Sequence, residues 1–260
     1  MRKLLSIFIL FFTLSVTAQY TIVSAVDLNE GMEEDYLKLE EFFSPIHKLA
    51  IEKGIQTFQA VFKVVESNDN GENSADYFII TGFNNKEELD AYNNSWTSDD
   101  WLNLAYEAHK GKMSRSSVRR YMNSVGSESK ERRNYHIKNV DQTIWAGGDL
   151  KPGERMSITS TIAKSDDFES WETEIIKPIV SNEIMMGQHR WWALSKIYER
   201  TENAYEGITH FFFNVGVPGV TRTGWDDLGK TFKGQKLREG VQSASEHQNY
   251  GLLELVSINN

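Results

Sequence analysis

The chain repeats itself. The stretch Pro178–Gly216, displaced by 133 positions, lies without a gap on Pro45–Phe83. Nine pairs are then identical: Pro45/Pro178, Ile46/Ile179, Ile51/Ile184, Gly54/Gly187, Ala60/Ala193, Lys63/Lys196, Glu66/Glu199, Asn70/Asn203 and Phe78/Phe211. These are the punctuation and core positions that a shared helix–strand–strand unit keeps. Self-similarity at a fixed offset marks a repeated structural module. The chain is therefore read as two copies of one unit, and every candidate site is sought with its counterpart in view.

What precedes the first copy has a different use. Arg2 and Lys3 begin the chain, an apolar run from Leu4 to Leu14 is interrupted by Ser6 and Thr13, and Val16-Thr17-Ala18 supplies small residues. That is the layout of a secretory signal cleaved between Ala18 and Gln19. The apolar run falls short of the ~20 residues that span a bilayer. The expected product is exported, periplasmic or secreted, with no membrane segment after cleavage. Cysteine is absent, which excludes disulfides, thiolate metal sites and a cysteine nucleophile. A chain of this size can build a core without such staples. The formal net charge of −9 argues against nucleic acid as a partner, which would want a basic face. The pairs Arg119-Arg120 and Arg132-Arg133 read as solvated or loop charges.

The order of elements comes from periodicity. Tyr20–Val26 reads as a strand. Tyr36, Leu39, Phe43, Ile46 and Ala50 form one helical stripe, with a kink or break expected at Ser44-Pro45 and a left-handed stop at Gly54. Ile55–Glu66 and Asp76–Phe83 form a hairpin. Its connection, Ser67–Ser74, reads as plain turn chemistry because it lacks the spacing of a calcium loop. Two helical regions follow, from Lys86 and from about Ser98, and Ser117–Met122 is expected to close the module as a strand. The order strand, helix, strand, strand, helix, strand is the ferredoxin-like arrangement. The second copy runs from Met156–Ala163 through the Phe168–Ile179 stripe, the strands at His189 and Thr209, a helical region over Trp225–Leu237 and a last strand, Tyr250–Ile258. The domain reading is a signal peptide at 1–18, a first module at 19–126, a linker at 127–153 and a second module at 154–260.

Two such modules in tandem, with a second-copy strand apolar on both faces, resemble the dimeric α/β-barrel superfamily. That superfamily includes the antibiotic-biosynthesis monooxygenase, EthD-like and NIPSNAP-like families. The resemblance implies an α+β fold in which two ferredoxin-like modules form a pseudo-dimeric α/β barrel within one chain. It also implies a ligand site between sheet and helices of a module. No signature motif of one family is present, so no catalytic residue is carried over.

The residues themselves point to the second module as the site. Strand alternation puts His189 with Trp191 and Arg190 with Trp192. His210 and Asn214 share a face in the next strand, with Phe212 between them. A neutral imidazole at His210 or His189 can act as a base or hold a substrate oxygen. Arg190, Trp192, Phe212 and Asn214 would line a pocket for a small apolar or aromatic molecule. The six histidines show no metal-binding spacing, so no metal or cofactor is expected. His47, His109 and His247 are the positions from which an axial haem ligand would have to come. The expected function is small-molecule binding with cofactor-independent oxygenase-like chemistry. The alternative is a non-catalytic exported protein with a structural or partner-binding role.

Overall fold

The computed structural model describes residues 19–68 and 75–260. The expected export signal and positions 69–74 of the expected Ser67–Ser74 turn lie outside the described residues. The first half contributes strands β1 (Tyr20–Leu28), β2 (Phe58–Ser67), β3 (Tyr77–Phe83) and β4 (Ser129–Gln142). The second contributes β5 (Arg155–Ala163), β6 (His189–Arg200), β7 (His210–Gly216) and β8 (Ser245–Asn259). They close into one barrel in the order β1-β3-β2-β8-β5-β7-β6-β4. Each half-sheet therefore runs second, third, first, fourth strand. Antiparallel seams between β2 and β8, and between β4 and β6, join the halves. This is the fused dimeric α/β-barrel fold, and closure leaves no sheet edge open.

Side chains alternate across each strand, so one face of every strand turns inward. Val23, Phe62, Ile80, Tyr135, Ile137, Ile158, Ile197, Phe211, Phe213 and Leu253 fill the interior. Helices cover the outside, and the two halves build their covers from the same rules. Helix α1 (Glu33–Glu52) ends at Gly54, whose φ is +72°, and Ile55 N–H donates to the Ala50 carbonyl. The matching helix ends at Gly187, whose φ is +71°, and Gln188 N–H donates to the Glu183 carbonyl. The two left-handed stops occupy like surroundings, as the repeat requires.

The expectation of a kink or break at the proline, which the repeat extends from Pro45 to Pro178, fails in the first half and is met in the second. Helix α1 runs unbroken through Pro45. The carbonyl that Pro45 leaves without a donor belongs to Glu41, an exposed residue, so water can satisfy it. Ser44 does not cap a restarted helix; its hydroxyl donates to Asn259 Oδ1 at 3.0 Å. In the second half a short α5 (Phe168–Ser170) passes into a π-helical turn, Trp171–Ile176, and then α6 (Lys177–Met185) with Pro178 in its first turn. A π turn adds one residue to a helix. Upstream of it the halves therefore match at 132 positions rather than 133. Phe168 then corresponds to Tyr36, and Glu172 to Glu40. All four are buried.

The closing strand of the first half is not Ser117–Met122. That stretch belongs to helix α4 (Arg115–Ser124), capped by Ser114. It follows α2 (Lys86–Asn94) and α3 (Ser98–Ala108), the latter opened by a Thr97/Asp100 capping box. The strand is β4, inside the stretch read as linker. Its outward residues Lys130, Arg132, Asn134, His136 and Lys138 are polar, which masks its period. Arg132 and Arg133 are thus strand residues, and Arg133 is buried. The second half ends with α7 (Gly224–Leu228), α8 (Phe232–Ala244) and β8. Among the described residues no helix is long and apolar enough to cross a membrane.

Candidate ligand-binding site

A cavity of about 590 Å³ lies in the first half between its sheet and its helices. Its floor is the outer face of β3-β1-β4. Pairing sets Thr81, Ile22 and His136 in one row and Ile79, Ser24 and Asn134 in the next, with Arg132 beyond them opposite Val26. Helix α1 forms the roof. Leu39, Glu40, Phe43 and His47 face the cavity from it, at spacings that keep them on one side of a helix. Tyr92 of α2 and Trp101 and Leu102 of α3 close the flank.

Two hydrogen-bond donors serve this space. The side-chain amide of buried Gln56 lies against His47, with Nε2 at 3.2 Å from the ring Nδ1 and 3.4 Å from the His47 carbonyl. Burial pushes the His47 ring down to about 4, with Arg132 adding to the depression. The ring keeps some surface, but that surface faces the cavity rather than bulk solvent. At neutral pH His47 is therefore uncharged. Gln56 Oε1 also lies 3.4 Å from the same Nδ1; with the nearer amide nitrogen donating to Nδ1, the ring proton sits on Nε2 and His47 is a donor. Arg132 is the second donor. Its guanidinium lies 3.9 Å from Glu128 Oε1, a contact too long for a hydrogen bond. Burial raises Glu40 above the usual carboxylate range, against the opposing pull of Arg132. The cavity thus offers a neutral imidazole, a cation and a carboxyl group that holds its proton more firmly than usual, among aromatic and aliphatic side chains. Such a set suits the oxygen of a largely apolar molecule.

The second half places the sequence-predicted residues elsewhere. His210 is enclosed: Nδ1 meets Thr209 Oγ1 at 2.8 Å, Nε2 meets Glu169 Oε1 at 3.3 Å, and Phe168 stands edge-on at 4.9 Å. Trp192 and Phe212 are packed with Phe168, Val180, Ile184 and Leu194 into an aromatic-rich layer that fills the space between sheet and helices. A bulge between His189 and Trp191 breaks the expected alternation. Arg190 leaves the Trp192 face and clamps the connector instead. It donates to the carbonyls of Ala146, Gly147 and Gly148 and pairs with Glu154 at 2.7 Å. His189 comes near Asn214, Glu183 and Arg222. Among the described residues, neither ring nitrogen of His189 nor Asn214 Oδ1 has a hydrogen-bond partner. Asn214 shares its face with Trp192, its cross-strand neighbour.

Of the other histidines, His109 is buried against Phe42, its Nε2 3.0 Å from the Phe42 carbonyl and its ring stacked on the phenyl. His247 Nδ1 lies 2.9 Å from Thr161 Oγ1. Among the described residues no group of three or more His, Asp or Glu side chains is placed to hold a metal ion. Glu40, Arg132 and His136 were missed as site residues. The period-two polarity of Lys130–Lys138 was the signal that could have found the last two.

No known family model and no curated protein sequence matches the chain. Solved structures do. An anthrone oxidase-like protein superposes with a TM-score of 0.52 at 11% identity, over 93% of each chain. A protein provisionally assigned as a monooxygenase from Lactobacillus acidophilus NCFM gives 0.51 at 10% identity, over 94% of this chain and 97% of its own. Another so assigned, from Fusobacterium nucleatum subsp. nucleatum ATCC 25586, gives 0.52 at 10% identity, over 94% and 95%. At such identities the likeness shows a shared fold.

Proposed function

We propose that the first half of this chain binds a small aromatic molecule bearing an oxygen substituent, and that the chain has cofactor-independent oxygenase-like activity toward it. The observation that carries the reading is the convergence of Arg132 and His47 on one cavity lined by both aromatic and polar side chains. Once the ligand has lost a proton, both donors can hold the resulting oxyanion. The names of the structural neighbours support the choice of chemistry. For an anthrone-type methylene the balance is CH₂ + O₂ → C=O + H₂O. Dioxygen is then the oxidant and the source of the new carbonyl oxygen, and the two hydrogens leave as water.

Anthrone with dioxygen as co-substrate tests the reaction. The expected result is one O₂ consumed per anthraquinone formed, with the rate reduced at least tenfold in Arg132→Ala and His47→Ala. Tryptophan fluorescence quenching by 1-naphthol tests binding separately through Trp101 and Trp96, whose rings are 5.2 Å apart. No quenching change in the wild type would refute the site. A binding-only role is the second reading. It is favoured by His47 itself, since an imidazole held at about 4 is a weak base. Naphthol binding without oxygen uptake would decide for it. The export signal enters the same proposal: the mature protein should begin at Gln19, which intact-mass measurement on the exported material checks.

A further inference from the structure

We infer that the first-half cavity is completed by the second half, with His136 as its proton acceptor and Glu199 as the residue that positions His136. The inference rests on the reading of that cavity as a ligand site. His136 lines the cavity from β4. Its register partner across the β4–β6 seam is Glu199, and Nδ1 lies 3.3 Å from Glu199 Oε2. An ionised carboxylate only accepts hydrogen bonds, so Nδ1 carries the ring proton and Nε2 is left as an acceptor. A carboxylate holding one imidazole nitrogen so that the other can take a proton is a general positioning device. His136 then complements His47 in the tautomer that donates from Nε2.

The rest of the β4 wall is held from the same side. Thr201 N–H donates to the Asn134 carbonyl at 3.0 Å, and Asn134 N–H donates to Thr201 Oγ1 at 3.1 Å. Asn203 Nδ2 donates to the Arg132 carbonyl at 3.1 Å and to Glu131 Oε1 at 3.0 Å. Three consecutive outward residues of β4, each lining the cavity, are thus tied to residues 199–203 of the other half. The duplication supplies an internal comparison. Glu66 is the counterpart of Glu199 in the repeat, but it lies on β2 opposite Leu252, away from the cavity.

The test compares Glu199→Ala, Glu199→Gln and Glu66→Ala in the full mature chain. The ligand-free readout is the His136 Nδ1–H proton, observed by ¹⁵N-edited NMR with His136→Asn for assignment. It should be seen in the wild type and in Glu66→Ala and be lost in Glu199→Ala. The ligand readout is the 1-naphthol dissociation constant, expected to rise at least threefold in Glu199→Ala, to recover partly in Glu199→Gln and to be unchanged in Glu66→Ala. Glu199 is 59% exposed, so the Tm should move little in either variant. Persistence of the Nδ1–H signal in Glu199→Ala overturns the inference, as does an equal loss of affinity in Glu66→Ala. Should the wild type bind no naphthol, the ligand reading fails, while the proton signal still decides whether Glu199 positions His136.

Discussion

Phe212→Ala separates the two halves of the molecule most sharply. The ring is 5% exposed. It sits between Phe168 and Trp192, both at 6.2 Å between ring centres, and His247 at 5.5 Å. Removing a buried phenyl forfeits its transfer free energy and leaves a void, together about 3–5 kcal/mol. For a chain of this length each kcal/mol lowers Tm by roughly 2–4 °C, so the expected fall is on the order of 6–20 °C. Phe212→Leu, which keeps most of the volume, should lose less than half as much. Differential scanning calorimetry reads the stability, and 1-naphthol titration at a temperature where the variant is folded reads the site. Affinity should stay within twofold of wild type, because Phe212 is on the far half from the cavity. The reasoning is refuted if Tm falls by less than about 2 °C. It is equally refuted if the folded variant no longer binds.

Other outcomes follow from the same geometry. Gly54→Ala and Gly187→Ala place a Cβ in open space but in a left-handed backbone, so each should cost about 1 kcal/mol in urea denaturation, and by similar amounts. Burial raises Glu172 to about 8, so between the ordinary carboxylate range and pH 8 the folded state holds a proton that the unfolded state has lost. Stability should therefore fall as pH rises through that window, by at most about 1.4 kcal/mol per pH unit; Glu172→Gln should flatten the slope, as read by Tm against pH. Arg190→Ala removes one ion pair and three bonds to connector carbonyls, which can then be hydrated. A loss of about 2–4 kcal/mol is expected, with faster proteolysis between Thr143 and Glu154.

The halves were legible in the sequence because their signals are local. A glycine after a helical stripe needs only its own φ, and Gly54 and Gly187 turn out alike to within a degree. The alternation in Phe58, Ala60, Phe62 and Val64 likewise survives as the inward face of β2. What failed depended on partners distant in the chain. From Lys130 to Lys138 every outward position of β4 is polar, and the seam to β6 and the cavity explain why. Ser117–Met122 is short enough to fit either period, and a serine cap upstream decided for helix. At His189 a single bulge residue moved Arg190 from a pocket to a clamp. The site was sought where aromatic residues are densest, but density there means filling. Phe168, Trp192 and Phe212 occupy the space that Glu40, His47 and Arg132 leave open in the other half.

That difference has an energetic reason. The cavity opens to solvent and part of its wall is polar, so water can fill it until a ligand displaces that water. Ser24, Asn134, Arg132 and His136 supply that polarity, and three of the four stand on β4. A strand so polar gains little from burial and must be held by its neighbours, which is what the β4–β6 seam and residues 199–203 provide. Residues 199–203 of the second half thus brace the polar wall of the open half, and the loss of aromatic packing at Phe212 should be felt as stability throughout the closed barrel.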